Sequence, residues 1–341
     1  MFFRRIVPVL FALVLFFSAS LFLYVNKWWH TPSVNPYYRV YLLIKPGASV
    51  TQIAHALKRA GLIQHPHFFV WELRCRLSTH QIKAGDYLFH PRMTPAQLFD
   101  ILKTGRVLQY QVTLLEGDTF KQWQTIFSQH PLVVNDLKGL SEPEMITYLH
   151  LPITRLEGWF YPDTYAYRRG TTQSVLLLNA YKTMVAYLNQ AWAHRAADLP
   201  YRTPYDALIV ASLIEKESAN QAERPEIASV IVNRLRLGMP LQIDPTVIYG
   251  LGDQYHGDIK TKDLKQDTPY NTYLHRGLPP TPIAMPSPLS IMAALHPSTT
   301  AYLYFVAKGD GSHTHQFSKT LQEHRSAVKA YIRSTQTSLP H

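Results

Sequence analysis

The chain has 341 residues, 46% of them hydrophobic and 17% charged, which excludes a fibrous or wholly disordered protein and allows two or three domains. The net charge of +11 favours acidic partners, but Lys and Arg are dispersed and no nucleic-acid motif is found, so we expect no nucleic-acid binding. Cys75 is the single cysteine, which excludes an intrachain disulfide, a thiolate zinc cluster and a dithiol redox pair.

An almost unbroken apolar run extends from Ile6 to Val25. Its roughly 20 residues are enough for a helix to cross a hydrocarbon layer about 30 Å thick. A cleaved signal peptide is the rival interpretation, because two arginines precede the run and Ser18-Ala19-Ser20 offers a small-residue cleavage site. The interfacial pair Trp28 and Trp29 follows the run, so we predict a retained single-pass anchor, whose orientation charge counting leaves open.

A small α+β module is predicted next, over residues 38–105, after a short polar connector (residues 30–36). The segment from Arg39 to Ile44 predicts a strand, and Ser49 is a suitable N-cap for a helix from Val50 to Arg59. A second helix around Phe68–Leu73 and a closing strand within Ala84–Phe89 complete the module.

A strand and a glycine turn recur at Val112–Asp118, and three aromatic residues at helical spacing follow, beginning with Phe120. Two copies of this pattern are too few for a solenoid. From about Ala191 onwards longer helices alternate with loops rich in Pro, Gly and Tyr, where catalytic groups tend to lie. A last helix is predicted over about Leu321–Ile332.

Several familiar catalytic motifs are missing from the sequence. It has no G-x-S-x-G elbow, phosphate-binding loop, G-x-G-x-x-G fingerprint or H-E-x-x-H pair, which argues against serine hydrolases, nucleotide-binding enzymes and zincins. His313, His315 and His324 have no carboxylate or thiolate partner at ligand spacing nearby. We therefore predict no metal site and no cofactor.

The helix predicted from about Tyr205 to Ser218 is apolar almost all round, which indicates a buried helix. Glu215 and Glu217 lie at its end and, at about 100° per residue, point to nearly opposite sides. A carboxyl group desolvated there would have a raised pKa, as a general acid requires. The alternative is that Lys216 and Arg224 pair with these glutamates at a solvated helix end. Spacing alone does not decide between the two interpretations.

A further helix is predicted around Pro225–Leu235, and the loops Gln242–Gly250 and Thr268–Tyr273 follow it. These loops combine amide, hydroxyl and aromatic groups, a mixture that suits sugar binding. In the alternative interpretation Asp244 and Thr246 only build a turn, and the tyrosines are half-buried packing residues.

Residues 211–218 (ASLIEKES) and 241–250 (LQIDPTVIYG) resemble the endolytic murein transglycosylase (YceG-like) family. The match continues in order at 157–165 (EGWFYPDTY), 270–273 (YNTY), 277–280 (GLPP), 302–306 (YLYFV), 315–318 (HQFS) and 323–324 (EH). Three positions differ from the family's pattern: Ile243 stands where Ser or Thr is usual, Thr281 where Gly is, and Met285 where Asn is.

The resemblance implies an α+β protein of the bacterial inner membrane with its catalytic part in the periplasm. Residues 1–29 would form a cytoplasmic tip and transmembrane anchor, and 38–105 a LysM-like module. Residues 106–341 would form the catalytic region, with its catalytic helices and loops mainly in 196–341. Peptidoglycan glycan strands would be the substrate, and peptidoglycan synthases are candidate partners.

The implied activity is that of a lytic transglycosylase, which cleaves the MurNAc–GlcNAc bond within strands and leaves a 1,6-anhydro-MurNAc end, acting on nascent strands to terminate elongation. The resemblance places the catalytic carboxyl on Glu215, used first as acid and then as base. It leaves seven positions as candidate substrate-binding residues: Glu217, Gln242, Asp244, Thr246, Tyr270, Asn271 and Tyr273.

Two other functions are alternatives to the lytic transglycosylase. One is a muramidase-type hydrolase that uses Glu215 with Glu217 or Asp244 and a water molecule, since glycosidases normally need two carboxyl groups. The other is a non-enzymatic membrane scaffold that binds peptidoglycan and in which Glu215 is structural.

Overall fold

The structure, a computed structural model, describes residues 3–32, 38–76, 82–312 and 314–337. His313 and most of the predicted connector lie outside these ranges. The α-helices are α1 (Phe3–His30), α2 (Val50–Arg59), α3 (Pro66–Arg76), α4 (Pro95–Thr104), α5 (Phe120–Ser128), α6 (Glu142–Tyr148), α7 (Gln173–Ala193), α8 (Pro204–Glu217), α9 (Arg224–Arg236), α10 (Asp244–Leu251), α11 (Pro288–Leu295) and α12 (Leu321–Thr337).

The strands are β1 (Val40–Ile44), β2 (Gly85–Phe89), β3 (Tyr110–Leu114), β4 (Asp163–Tyr167), β5 (Tyr304–Ala307) and β6 (His315–Ser318). They form two-stranded sheets, in which β1 pairs with β2, β3 with β4 and β5 with β6. The chain is thus a mixed α+β protein, as predicted. It divides into two compact units, residues 1–110 with 166–170, and residues 111–165 with 171–341.

The first unit contains α1 and a strand–helix–helix–strand arrangement. Strands β1 and β2 are antiparallel, with Val40 opposite Phe89. Ser49 caps α2 through a capping box, which confirms the predicted start of this helix. In the described part of the chain, α1 is the one helix long and apolar enough to cross a membrane, which is compatible with the predicted anchor. Its Trp29 is buried against the rings of Phe69 and Phe99.

The second unit is built around α8. Every residue from Ala207 to Ile214 is buried, which confirms the prediction of a buried helix. Helices α9 and α11 pack against α8. The prediction that Gln242–Gly250 is a loop was wrong, because Asp244–Leu251 forms α10 with Pro245 in its first turn, where the missing amide of proline costs no hydrogen bond.

A tight turn at Gly158 brings the chain close to Pro282. Gly158 has φ +82°, and a Cβ atom there would lie 2.4 Å from Cγ of Pro282, whose ring cannot move aside freely. We expect Gly158→Ala to lower the free energy of unfolding by about 2 kcal/mol or more, since the left-handed backbone and the clash both oppose it. Gly139→Ala is the matched control, because Gly139 has φ +83° but no atom within 4 Å. The same midpoint of urea denaturation for Gly158→Ala and Gly139→Ala would contradict the expected clash with Pro282.

Candidate active site

Glu215 lies in a buried ion pair with Arg224. Nη2 of Arg224 donates to Oε1 of Glu215 at 2.9 Å and Nη1 to Oε2 at 3.2 Å. The side chains are 4% exposed for Glu215 and 6% for Arg224. Arg224 was a candidate partner in the alternative interpretation of this helix end, which placed the pair in solvent. The structure instead encloses it between the end of α8 and the start of α9.

Ser287, the N-cap of α11, completes the surroundings of Glu215. Its amide donates to Oε2 of Glu215 at 2.9 Å and its hydroxyl at 2.5 Å. The same hydroxyl accepts from Nη1 of Arg224 and from the Ser290 amide, which occupies both of its lone pairs. Its hydrogen must therefore point at Glu215. Four donors surround the Glu215 carboxylate, which ties α8, α9 and α11 together and leaves the group little access to a substrate.

A loop that follows β3 passes beside Glu215. Nζ of Lys216 donates to the carbonyl of Gly117 at 3.0 Å. The Gly117 amide donates to the Met285 carbonyl, and the Met285 amide donates to the Asp118 carbonyl, both at 2.8 Å. These bonds fix the loop over the ion pair. The side chain of Met285 is buried, so Met285 contributes to this contact through its backbone.

Glu217, the last residue of α8, is placed differently. The residue is partly exposed, and its carboxyl group has no hydrogen bond to any residue that the structure describes. Burial of the carboxyl group raises the pKa of Glu217 to about 8; the charge of Asp244 adds to this rise and that of Arg234 opposes it. Glu217 therefore carries a proton at neutral pH.

Asp244 and Tyr273 form a pair beside Glu217. The hydroxyl of Tyr273 donates to Oδ1 of Asp244 at 2.5 Å, and both residues are partly exposed. Burial raises the pKa of the Tyr273 phenol above its ordinary value, and the hydrogen bond to Asp244 adds to this rise. The phenol therefore stays neutral and acts as a donor. Two of the predicted substrate-binding residues thus meet near Glu217.

Arg234 organises the turn that carries Gln242 towards this cluster. Its guanidinium donates to the carbonyls of Leu303, Pro240 and Leu241 and to Oε1 of Gln242. Gln242 is exposed and adopts φ +53°, an uncommon conformation for a residue other than glycine. Arg234 therefore holds the turn before α10 in a conformation that the turn would not favour on its own.

Three other predicted substrate-binding residues support the loops. The hydroxyl of Thr246 is buried and donates to the Ile243 carbonyl. The buried Asn271 amide donates to the carbonyls of Leu264 and Gln266. Tyr270 is half-buried, packs against Tyr249 and bonds through its hydroxyl to Thr281. In the free protein these polar groups are occupied, and the contacts to substrate predicted for them stay predictions.

The residues that depart from the family's pattern have plain packing roles. Ile243 is buried in the core of the second unit, and its amide donates to the hydroxyl of Thr272. Thr281 is buried too, and its hydroxyl donates to the Pro282 carbonyl. Neither side chain presents a polar group to solvent.

Glu157 is a buried carboxyl group that the site prediction did not include. Its Oε1 accepts from the Phe120 amide at 3.0 Å, at the start of α5, and its Oε2 accepts from the Tyr249 hydroxyl at 3.0 Å. Burial raises the pKa of Glu157 to about 7, while these two donors oppose the rise. Because both oxygens have protein partners, we assign Glu157 to joining α5 and α10.

Sequence reasoning missed Ser287 and Arg234. Ser287 lies 72 residues from Glu215, and a sequence pattern does not show a contact over that distance. The sequence did contain an indication that Arg234 is buried, because this arginine falls within the buried stripe of α9, next to Leu235 and three residues after Ile231. A buried arginine needs several acceptors, which makes it a marker of an organised loop. No group of three or more potential metal-ligating side chains occurs among the described residues.

Comparisons with known proteins agree with the motif resemblance. A sequence profile of the YceG-like family matches residues 42–330. An endolytic murein transglycosylase of Bacillus subtilis (strain 168) is 34% identical over 311 residues, which cover 85% of this chain and 84% of that protein. An endolytic murein transglycosylase of Streptococcus pneumoniae (strain D39) is 28% identical over 298 residues. This match covers 77% of this chain and 53% of the Streptococcus pneumoniae protein. A crystal structure of a yceG-like protein from Listeria monocytogenes is similar with TM-score 0.55 and 29% identity, covering 85% of this chain and 99% of that one.

Proposed function

The chain belongs to the YceG-like family, and from this premise we propose that it is an endolytic peptidoglycan lytic transglycosylase with Glu217 as its proton donor. The names of its relatives support the activity. One observation supports the choice of residue: Glu217, at the end of a buried helix, is a partly exposed residue whose carboxyl group is protonated at neutral pH and has no hydrogen-bond partner among the described residues. General acids are tuned in this way.

The geometry favours Glu217 over Glu215, on which the motif resemblance placed the reaction. Glu215 accepts four hydrogen bonds, two of them from the guanidinium of Arg224, so both of its oxygens are occupied by protein donors. A general acid must instead hold a proton and reach the oxygen of the leaving group. We therefore assign Glu215 a structural role in joining three helices.

The proposed reaction needs one carboxyl group, used twice. Glu217 gives its proton to the glycosidic oxygen between MurNAc and GlcNAc as the bond from that oxygen to the anomeric carbon breaks. The muramoyl 6-hydroxyl then attacks its own anomeric carbon, and Glu217, now a carboxylate, takes the hydroxyl proton. A 1,6-anhydro end forms, Glu217 regains its proton and no water is consumed.

We also propose that α1 anchors the protein in the inner membrane with the residues that follow it in the periplasm, where peptidoglycan lies. The length and apolar character of α1 support the anchor. The strand–helix–helix–strand order of the first unit supports the LysM-like module. Action on nascent strands and partnership with peptidoglycan synthases would follow from a position at the membrane surface.

Digestion of uncrosslinked glycan strands by the full chain in detergent tests the function. We expect the mean strand length to fall early while few disaccharides are released, because internal bonds are cut. Size-exclusion chromatography with detection of released sugars measures both. Strands that bind but keep their length would contradict the proposal and support the scaffold. Short products released one at a time from an end would contradict the endolytic assignment.

A further inference from the structure

Glu217 lies at the C-terminus of one helix, and Asp244 lies at the N-terminus of another. Glu217 is the last residue of α8, where unpaired carbonyl groups carry partial negative charge. Asp244 is the first residue of α10, where free amide groups carry partial positive charge. The terminus of α8 therefore disfavours a negative charge on Glu217, while Asp244 lies at the kind of helix terminus where acidic side chains are commonly found. Two nearby carboxyl groups in such different electrostatic surroundings often have different roles in an active site.

The Asp244 carboxylate is also fixed in position. The Tyr273 hydroxyl donates to it, and the amide of Tyr273 donates in turn to Oδ1 of Asn271 at 3.0 Å. Asn271 is buried and anchored to two backbone carbonyls of the preceding loop. A chain of hydrogen bonds thus runs from the preceding loop to Asp244 and holds its carboxylate in place.

Three groups face Glu217 from the elements packed around it, namely Asp244 on α10, Arg234 on α9 and Tyr273 on the following loop. Tyr273 is neutral, and the guanidinium of Arg234 is occupied by backbone carbonyls and Gln242. Arg234 opposes protonation of Glu217 through its positive charge. Among these three groups, Asp244 supplies the negative charge.

We propose that Asp244, fixed by Tyr273, is a positioning residue whose carboxylate keeps the proton on Glu217 until the glycosidic oxygen arrives. This inference rests on the proposed function and differs from the sugar contact predicted for Asp244. It also explains the second half of the reaction. Once Glu217 has lost its proton, two like charges face each other, so Glu217 is driven to take the proton of the attacking 6-hydroxyl.

The test is the pH dependence of strand cleavage by Asp244→Asn, a change that removes the charge and keeps the shape and an acceptor for Tyr273. Wild-type activity should fall as pH rises through about 8, where Glu217 loses its proton. In the variant the pKa of Glu217 falls, so this loss should move to lower pH by about one unit. KM should change little, whereas a lost sugar contact would raise KM at every pH.

Asp253→Asn is the matched control, because it also removes one negative charge, from a residue just beyond the end of α10. This variant should leave the pH dependence of strand cleavage unchanged. Should Asp244→Asn fail to fold, Tyr273→Phe keeps the charge but frees the carboxylate, and a smaller shift in the same direction is expected. An unmoved profile in a folded Asp244→Asn variant, with Glu217→Gln inactive, overturns this inference alone. A folded Glu217→Gln variant that still cleaves overturns the proposed function and this inference with it.

Discussion

Replacing Glu215 with glutamine is expected to lower the free energy of unfolding by about 3–5 kcal/mol, because it leaves the buried guanidinium of Arg224 without its counter-ion. The ion pair is almost fully enclosed, so solvent cannot replace the lost carboxylate. The glutamine amide would also point donors at the Ser287 hydroxyl or at Arg224. Urea denaturation of the full chain, followed by tryptophan fluorescence, measures the change.

Two further variants make this stability test specific. The double variant Glu215→Gln with Arg224→Met removes both charges and should recover part of the lost stability, since no unpaired charge stays buried. Lys121→Met breaks the exposed pair between Lys121 and Asp253 and should leave the midpoint unchanged. A Glu215→Gln variant as stable as the wild type would contradict the structural role of Glu215.

Replacing Glu217 with glutamine should have the opposite pattern: the fold is kept and cleavage is lost. Glutamine resembles the neutral carboxylic acid that Glu217 is at pH 7, and no hydrogen bond of the described residues depends on the Glu217 carboxyl group. The amide cannot donate its proton as an acid, so a loss of about 10²–10⁴-fold in rate is expected. Initial rates of strand cleavage, with urea midpoints as the control for folding, measure the effect.

Local elements could be predicted where a boundary signal and an apolar pattern coincide. Ser49 with its capping box set the start of α2, and the continuous apolar sequence of α8 indicated burial. Helix α10 was missed because its eight residues offer little periodicity and Asp244-Pro245 is read as a turn as easily as a helix start. No prediction was made for α7, although Thr172 caps it.

The site was harder to predict because its electrostatics depend on contacts between distant parts of the chain. Glu215 and Glu217 are two residues apart on one helix, and spacing showed only that they point to different sides. The contacts that separate them come from Arg224, Ser287 and Asp244. The motif resemblance identified the family correctly. It could not supply the hydrogen-bond partners and charged neighbours of each carboxyl group.

The yield of 1,6-anhydro-MurNAc ends from purified uncrosslinked strands, measured by mass spectrometry for the wild type, Glu217→Gln and Glu215→Gln, tests the central claim most directly. The wild type should form anhydro ends, which are lighter than reducing ends by one water. Folded Glu217→Gln should form almost none, while Glu215→Gln should keep part of its activity at temperatures where it is folded. Reducing muramic acid ends from the wild type, or normal anhydro ends from folded Glu217→Gln, would contradict the account.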